Sequence, residues 1–133
     1  MAVGGCFCGK IRIEFNGQPL KSASTAQAGN PIYVINSTEL KVSGNPKEVA
    51  KTADSGNKMR NYFCPDCGTP LFGRKIHSNG DFDEITIVRA GIFDDIQMLN
   101  EQKPEAELYT DRRLQWVNPV EGAEQFGGML ALS

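Results

Sequence analysis

Four cysteines in two close pairs constrain this chain more than any other feature. Cys6 and Cys8 lie in a Cys-Phe-Cys-Gly sequence, and Cys64 and Cys67 lie in a Cys-Pro-Asp-Cys-Gly sequence. Two thiolates on a short turn suit tetrahedral zinc, and a glycine directly after each pair allows the backbone conformation that such a turn needs. The pattern predicts two knuckles that hold one zinc ion through four sulfurs.

Three other interpretations of the cysteines remain open. A disulfide framework is disfavoured in a cytosolic protein, and it would need cross-pairing because a Cys6–Cys8 bridge closes a very small ring. A thioredoxin-like redox pair at Cys64 and Cys67 should open a helix, yet Gly-Thr-Pro-Leu-Phe-Gly follows. The four thiols could also be unrelated buried side chains. Zinc is the preferred interpretation.

The predicted zinc is structural rather than catalytic. A catalytic zinc keeps one position open for water or substrate, whereas four thiolates close the coordination sphere. The only histidine, His77, lies in a polar Ile-His-Ser-Asn-Gly-Asp stretch, which is more typical of a surface loop than of a metal ligand. We therefore expect one structural zinc, which ties the N-terminal segment to the middle of the chain and offsets the entropy of closing that long loop.

Composition narrows the class of protein. The chain has 133 residues, of which 40% are apolar, and 14 basic and 16 acidic side chains give a net charge of −2. No apolar run approaches the roughly 20 residues of a membrane helix, no secretory signal opens the chain, and no basic cluster indicates nucleic-acid binding. We expect a single soluble, cytoplasmic domain spanning residues 1–133, without a nucleic-acid or membrane partner.

Short strands dominate the hydrophobic pattern. Apolar and polar residues alternate, or β-branched and aromatic residues cluster, between breaks rich in Gly, Pro, Asn and Asp. The predicted strands are 11–15, 31–35, 40–43, 49–52, 60–63, 70–72, 85–88, 106–109 and 114–117. One short helix is predicted at 94–99, capped by Asp94 or Asp95. This pattern predicts an all-β sandwich or a folded-over sheet.

Several motifs along the chain resemble those of one family. They are Gly-Gly-Cys-Phe-Cys-Gly-Lys-Ile-Arg-Ile-Glu-Phe at 4–15, Arg-Asn-Tyr-Phe-Cys-Pro-Asp-Cys-Gly-Thr-Pro-Leu-Phe at 60–72 and Val-Arg-Ala-Gly-Ile-Phe-Asp-Asp at 88–95. The chain resembles the glutathione-dependent formaldehyde-activating enzyme family, which includes centromere protein V. The resemblance implies a mainly β, Mss4-like fold of folded-over antiparallel sheets, with one structural zinc on Cys6, Cys8, Cys64 and Cys67.

The chain departs from this family at the segment that follows Pro19 and Leu20. Family members typically carry Cys-His-Cys-x-x-Cys there, and its three cysteines hold a second, open zinc site. Here residues 21–31 contain no Cys, His, Asp or Glu. The hydroxyls of Ser22, Ser24 and Thr25 are poor zinc ligands. The carbon–sulfur lyase activity of the family therefore does not transfer directly to this chain.

The first functional hypothesis is a small-molecule enzyme with lyase- or isomerase-type acid–base chemistry in the ancestral pocket, without a catalytic zinc. The candidate catalytic residues are Arg60, Tyr62, His77, Tyr109 and Asp111. An arginine could hold a carboxylate or enolate oxygen, and histidine or tyrosine could move protons. Each also has a structural interpretation, namely a paired arginine, a packing tyrosine, a surface histidine or a solvated turn aspartate.

Two alternatives accompany this hypothesis. One is a non-catalytic, zinc-stabilised module that binds a small ligand or a protein, with Trp116 as a contact residue, although a single tryptophan more often belongs to a core or pocket wall. The other is a carbon–sulfur lyase acting on glutathione adducts, which a count of two zinc ions per chain would indicate.

Overall fold

The computed structural model describes residues 1–26 and 30–129. These residues form eleven strands, one α-helix and three short 3-10 helices. The strands are β1 (Ala2–Gly5), β2 (Arg12–Phe15), β3 (Lys21–Thr25), β4 (Asn30–Asn36), β5 (Leu40–Ser43), β6 (Lys47–Thr52), β7 (Lys58–Phe63), β8 (Pro70–Ile76), β9 (Phe82–Arg89), β10 (Ala106–Leu108) and β11 (Glu124–Gln125). The α-helix α1 spans Ile96–Glu101, and the 3-10 helices span Ser37–Glu39, Ala90–Ile92 and Thr110–Arg112.

The strands form two sheets. A three-stranded sheet has the order β1-β2-β5, and an eight-stranded sheet has the order β11-β10-β3-β4-β9-β8-β7-β6. Neighbouring strands are antiparallel, except that β10 runs parallel to both β3 and β11. The predicted mainly β class is confirmed.

One hydrophobic cluster joins the two sheets. Ile13 and Phe15 of β2 are buried, whereas Arg12 and Glu14 between them are not, as the alternating pattern predicts. The Phe15 ring meets Phe93 edge-on with centroids 5.3 Å apart. Burial of each such side chain stabilises the fold by about 1.5–3 kcal/mol.

The strand prediction differs from the structure in two respects. Residues 114–117 form a turn and not a strand, so that prediction is wrong, and Trp116 is 78% exposed instead of lining a core or pocket. Strands β1 and β3 were not predicted because their sequences are rich in glycine, alanine and small polar residues, and β11 was not predicted because it has only two residues, both polar. The helix prediction is confirmed, with Asp95 as its N-cap.

No helix formed by residues 1–26 and 30–129 is long and apolar enough to cross a membrane.

Candidate metal centre and adjoining cavity

The two cysteine pairs form matching turns at the ends of strands. In each turn the glycine amide donates to the carbonyl of the first cysteine, Gly9 to Cys6 at 3.1 Å and Gly68 to Cys64 at 2.8 Å. Both glycines have a left-handed φ, +80° and +79°, which a side chain would strain. The turn conformation that the sequence predicts is therefore present in both knuckles.

The four sulfurs form one compact cluster. The Sγ atoms of Cys6, Cys8, Cys64 and Cys67 all lie within 4.8 Å of one another. Cys8 Sγ is 3.5 Å from Cys6 Sγ and 3.7 Å from Cys64 Sγ. Tetrahedral zinc with Zn–S bonds of about 2.3 Å separates its sulfurs by about 3.8 Å, whereas a disulfide bond is about 2.05 Å long. The cluster fits a four-coordinate metal ion, and all four cysteines are unbridged.

The electrostatics of the cluster also favour a cation between the sulfurs. The Thr69 hydroxyl, 3.1 Å from Cys67 Sγ, donates to the thiolate and lowers the pKa of Cys67 to about 5. The Lys10 amide lowers the pKa of Cys8, but desolvation and the neighbouring sulfurs outweigh it and raise that pKa to about 12. Four thiols this close cannot all ionise, because the thiolates would repel one another. A bound metal ion offsets this repulsion with its positive charge.

A cavity of about 250 Å³ lies against the eight-stranded sheet. Its lining comes from every strand between β10 and β6 in the sheet order. Seven strands spaced about 4.8 Å apart would span about 29 Å if flat, so the sheet must curve around the cavity. The lining residues are Thr25, Asn30, Ile32, Lys51, Ala53, Met59, Asn61, Tyr62, Pro70, Leu71, Phe72, Gly73, Ile87, Arg89, Leu108, Tyr109 and Met129.

The charged lining residues are both cationic. Arg89 at the end of β9 is half-buried, and it takes no part in the ion pairs formed among the described residues. Lys51 of the edge strand β6 is exposed. Among the described residues no Asp, Glu, His or Cys lines the cavity. A half-buried guanidinium without a carboxylate partner among the described residues makes this cavity suited to an anion.

Two of the five predicted catalytic residues, Tyr62 and Tyr109, line this cavity. Tyr62 is buried and stacks on Phe72 with ring centroids 4.5 Å apart, and burial raises its pKa. Tyr109 has φ 56° and ψ 41°, the only positive φ among the described non-glycine residues. A left-handed backbone costs a side-chain-bearing residue about 1–2 kcal/mol, and such strain concentrates at functional sites.

The other three predicted catalytic residues lie outside the lining. Arg60 faces Glu48 on the neighbouring edge strand, at 3.9 Å. His77 follows β8 and binds Asp83 at 2.9 Å through its Nε2. Asp111 is exposed in a 3-10 helix. The structure does not bring these side chains to the two tyrosines.

The segment 21–31, where the family resemblance places a second metal site, borders the cavity. Thr25 and Asn30 line the cavity on either side of residues 27–29, and those three residues lie outside the described part of the chain. The buried Ser22 hydroxyl donates to the Lys103 carbonyl at 2.8 Å, so it serves the fold.

Sequence reasoning missed Arg89 and Asn61. The sequence signal for Arg89 was its position as a basic residue at the end of the most apolar strand. The only signal for Asn61 is the glycine at position 73, which is its cross-strand neighbour. A Cβ atom at Gly73 would clash with the Asn61 Oδ1 atom. The missing side chain at Gly73 therefore makes room for the Asn61 amide at the cavity wall.

The fold and site define a mainly β protein with a four-cysteine cluster that could hold a metal ion beside a cationic cavity. A comparison with protein families matches residues 1–112 to the family described as glutathione-dependent formaldehyde-activating enzyme, and the chain belongs to this family.

Among solved structures, the crystal structure of a Rhodobacter sphaeroides protein, a structural genomics target, is similar to this chain. The match covers 93% of this chain and 98% of that protein, with a TM-score of 0.50 and 17% sequence identity, which supports the fold alone. No curated protein matches the sequence.

Proposed function

We propose that this protein is a diverged member of the formaldehyde-activating family, in which one structural zinc stabilises the fold and the cavity acts on a small organic anion. The reaction class is isomerase- or lyase-type acid–base chemistry without zinc in the cavity. The observation that carries the proposal is Arg89, a half-buried cation with no ion-pair partner among the described residues, in a lining without carboxylates.

The donor set of the chain supports a single metal site. The sequence has four cysteines and one histidine. All four cysteines lie in the cluster, and His77 lies beside Asp83 away from the cavity. No thiol or imidazole is left for a second zinc at residues 21–31. Zinc supplies structural stabilisation in this proposal, and the thiolates that hold it stay reduced in the cytoplasm, where we place the protein.

The cavity residues support stabilisation of negative charge on a substrate oxygen. The Arg89 guanidinium holds a carboxylate or enolate oxygen through two N–H groups. The hydroxyls of Tyr109 and Tyr62 donate hydrogen bonds or a proton, and the raised pKa of Tyr62 keeps it protonated at neutral pH. Donors aimed at a developing oxyanion are a common source of rate enhancement in enzymes.

A second candidate function is binding of the same class of anion without turnover. The supporting observation is that no carboxylate or imidazole base lines the described part of the cavity. In that case the cavity is a ligand site on a zinc-stabilised scaffold.

The test separates metal count, binding and turnover. We expect the purified protein to contain one zinc per chain. Two zinc ions per chain, together with condensation of formaldehyde and glutathione, would instead indicate the family's lyase reaction. Binding of phenylpyruvate is measured by calorimetry, and the exchange of its C3 protons, which lie next to the ketone and pass to solvent water, is followed by NMR in D2O.

We expect Arg89→Gln to weaken phenylpyruvate binding about tenfold, since a charged hydrogen bond is lost. Tyr109→Phe should slow exchange with little change in affinity, and the exposed Arg112→Gln should change neither. Binding without exchange above buffer would favour the second candidate. If phenylpyruvate and related 2-oxo acids fail to bind, the anion site is wrong.

A further inference from the structure

A second, more open cavity of about 400 Å³ adjoins the first. Asn30, Pro70 and Arg89 line both cavities. The Arg89 guanidinium, which forms no ion pair within residues 1–26 and 30–129, therefore lies at the junction of the two cavities. We call the first cavity the inner compartment and the second the outer compartment.

The two compartments differ in character. Buried side chains such as Leu71 and Leu108 line the inner compartment. The outer compartment is lined by residues that include Thr69 and the exposed Gly91, where a Cβ atom would meet nothing within 4 Å. The Thr69 hydroxyl contacts Cys67 Sγ at 3.1 Å, so the cysteine cluster holds one wall of the outer compartment in place.

We propose that the two compartments form one site for a carboxylate that is substituted on the adjacent carbon, such as an N-acyl amino acid. This inference rests on the proposed anion site at Arg89. An anion held at the junction has space on both sides, and a carboxylic acid with two branches on its α-carbon fills both. The apolar side chain enters the inner compartment, and the acyl-amide group enters the outer compartment, where the Asn30 amide offers both a donor and an acceptor.

The test compares two probes by calorimetry on the zinc-loaded full chain. N-acetylphenylalanine carries both branches, and 3-phenylpropionate carries only the branch for the inner compartment. The wild-type protein should bind N-acetylphenylalanine about tenfold more tightly, the gain expected for one or two added hydrogen bonds.

Three variants assign the branches to their compartments. Gly91→Leu should narrow the outer compartment and remove the preference for N-acetylphenylalanine while leaving 3-phenylpropionate binding within about twofold. Gly91→Ala should leave the binding of both probes unchanged, because one methyl group leaves most of the space open. Ala53→Leu, in the inner compartment, should weaken both probes. Thermal unfolding followed by circular dichroism confirms that each variant is folded.

Two results would overturn the proposal. The two-compartment site is wrong if N-acetylphenylalanine binds no better than 3-phenylpropionate, or if Gly91→Leu weakens both probes equally. In those cases the proposed anion site survives as long as Arg89→Gln still weakens 3-phenylpropionate about tenfold. If Arg89→Gln affects neither probe, the proposed function fails as well. If neither probe binds, the two-compartment site is wrong, and phenylpyruvate binding decides whether the proposed function fails with it.

Discussion

At the scale of single residues, Glu107 is the buried carboxylate that organises the chain beyond β10. It is 2% exposed and accepts hydrogen bonds from Arg113 at 2.9 Å and from Gln125 at 3.2 Å. The Val120 amide also donates to it. A buried charge with this many partners stabilises the fold mainly because removing it leaves the partners unsatisfied.

We expect Glu107→Gln to lower the free energy of unfolding by about 2 kcal/mol, since Arg113 loses its charged partner but still reaches solvent. Urea unfolding measures the change. Glu105→Gln is the matched control, because Glu105 is exposed on the same segment, and its effect should stay within about 0.5 kcal/mol. Equal effects from the two substitutions would contradict the role of the buried pair.

The same residue predicts a pH dependence. Burial raises the pKa of Glu107, but hydrogen bonds from the Val120 amide, Arg113 and Gln125 lower it by more. The pKa of Glu107 therefore lies below the ordinary value of 4.5. A carboxyl group with a lowered pKa stabilises the native state fully above its unfolded pKa, and this stabilisation is lost as the pH falls through its native pKa. The difference in unfolding free energy between wild type and Glu107→Gln should therefore be constant from pH 7 to about 5 and shrink below about pH 4. A difference that grows on acidification would contradict it.

Which residues the sequence could predict depends on how local their signals are. The cysteine turns were predictable because spacing and the following glycine act within a few residues. The sequence does not show that Arg89 and Tyr109 line one cavity while His77 lies beside Asp83, because the cavity wall depends on which strands are neighbours. In the sheet β9 lies between β4 and β8, and no pattern within one sequence specifies that order.

At the scale of elements, α1 is a short helix that depends on its cap. It has six residues, fewer than an isolated helix needs. Its Met98 and Leu99 pack against the main core, and the Asp95 carboxylate accepts from the Gln97 amide at 3.0 Å. The cap and the core contacts together hold the helix in place.

Asp95→Ala should lower the free energy of unfolding by about 1 kcal/mol, because it removes the acceptor for an otherwise unsatisfied amide of the first turn. Chemical unfolding measures the loss. Asn100→Ala, in the same helix away from the cap, should not destabilise, since alanine has the higher helix propensity. A loss for Asn100→Ala as large as that for Asp95→Ala would point to packing instead of capping.

The pairing of β7 with β8 predicts a second effect. Gly73→Ala places a Cβ atom against the Asn61 side chain and should cost about 1–2 kcal/mol by overpacking. The contact is with a side chain, so Asn61→Ala in the same chain should relieve most of this cost. A double-mutant cycle in urea measures the coupling. Simple additivity of the two substitutions would show that the crowding lies elsewhere.

Strand prediction succeeded where large apolar residues alternate with polar ones. It failed where a segment is a strand only because neighbouring strands pair with it. The β3 sequence, Lys-Ser-Ala-Ser-Thr, carries no strand signal. It is a strand because β4 and β10 pair with it on both sides, and small side chains fit its buried position. Leu114, Trp116 and Val117 look like a strand, but no described strand pairs with them and Trp116 stays exposed.

At the scale of the whole molecule, the cysteine cluster joins the two sheets. One knuckle lies between β1 and β2 of the small sheet, and the other lies between β7 and β8 of the large sheet. Pro70 and Leu71, which follow the second knuckle, line the cavity. A metal ion in the cluster would therefore fix both the packing of the sheets and one wall of the proposed anion site.

Removing the metal should consequently weaken folding and anion binding together. Chelation is expected to release one zinc per chain and to lower the free energy of unfolding by at least about 5 kcal/mol, because structural zinc contributes directly to folding. Released zinc is measured with a chromogenic chelator, unfolding by circular dichroism, and 3-phenylpropionate binding by calorimetry. Added zinc should restore all three.

Two variants separate the metal's contribution from general damage to the knuckles. Cys8→Ser changes the exposed ligand and leaves three thiolates. This variant should fold at high zinc concentration and lose stability as the free zinc concentration falls, because its affinity for zinc is weakened. Asp66→Ala lies in the other knuckle and removes only an exposed pair with Lys10 at 3.3 Å, so it should retain zinc and stability. If the stability of Cys8→Ser did not depend on zinc concentration, the cluster would not be a metal site, because a ligand lost from a metal centre must make folding more sensitive to the free metal.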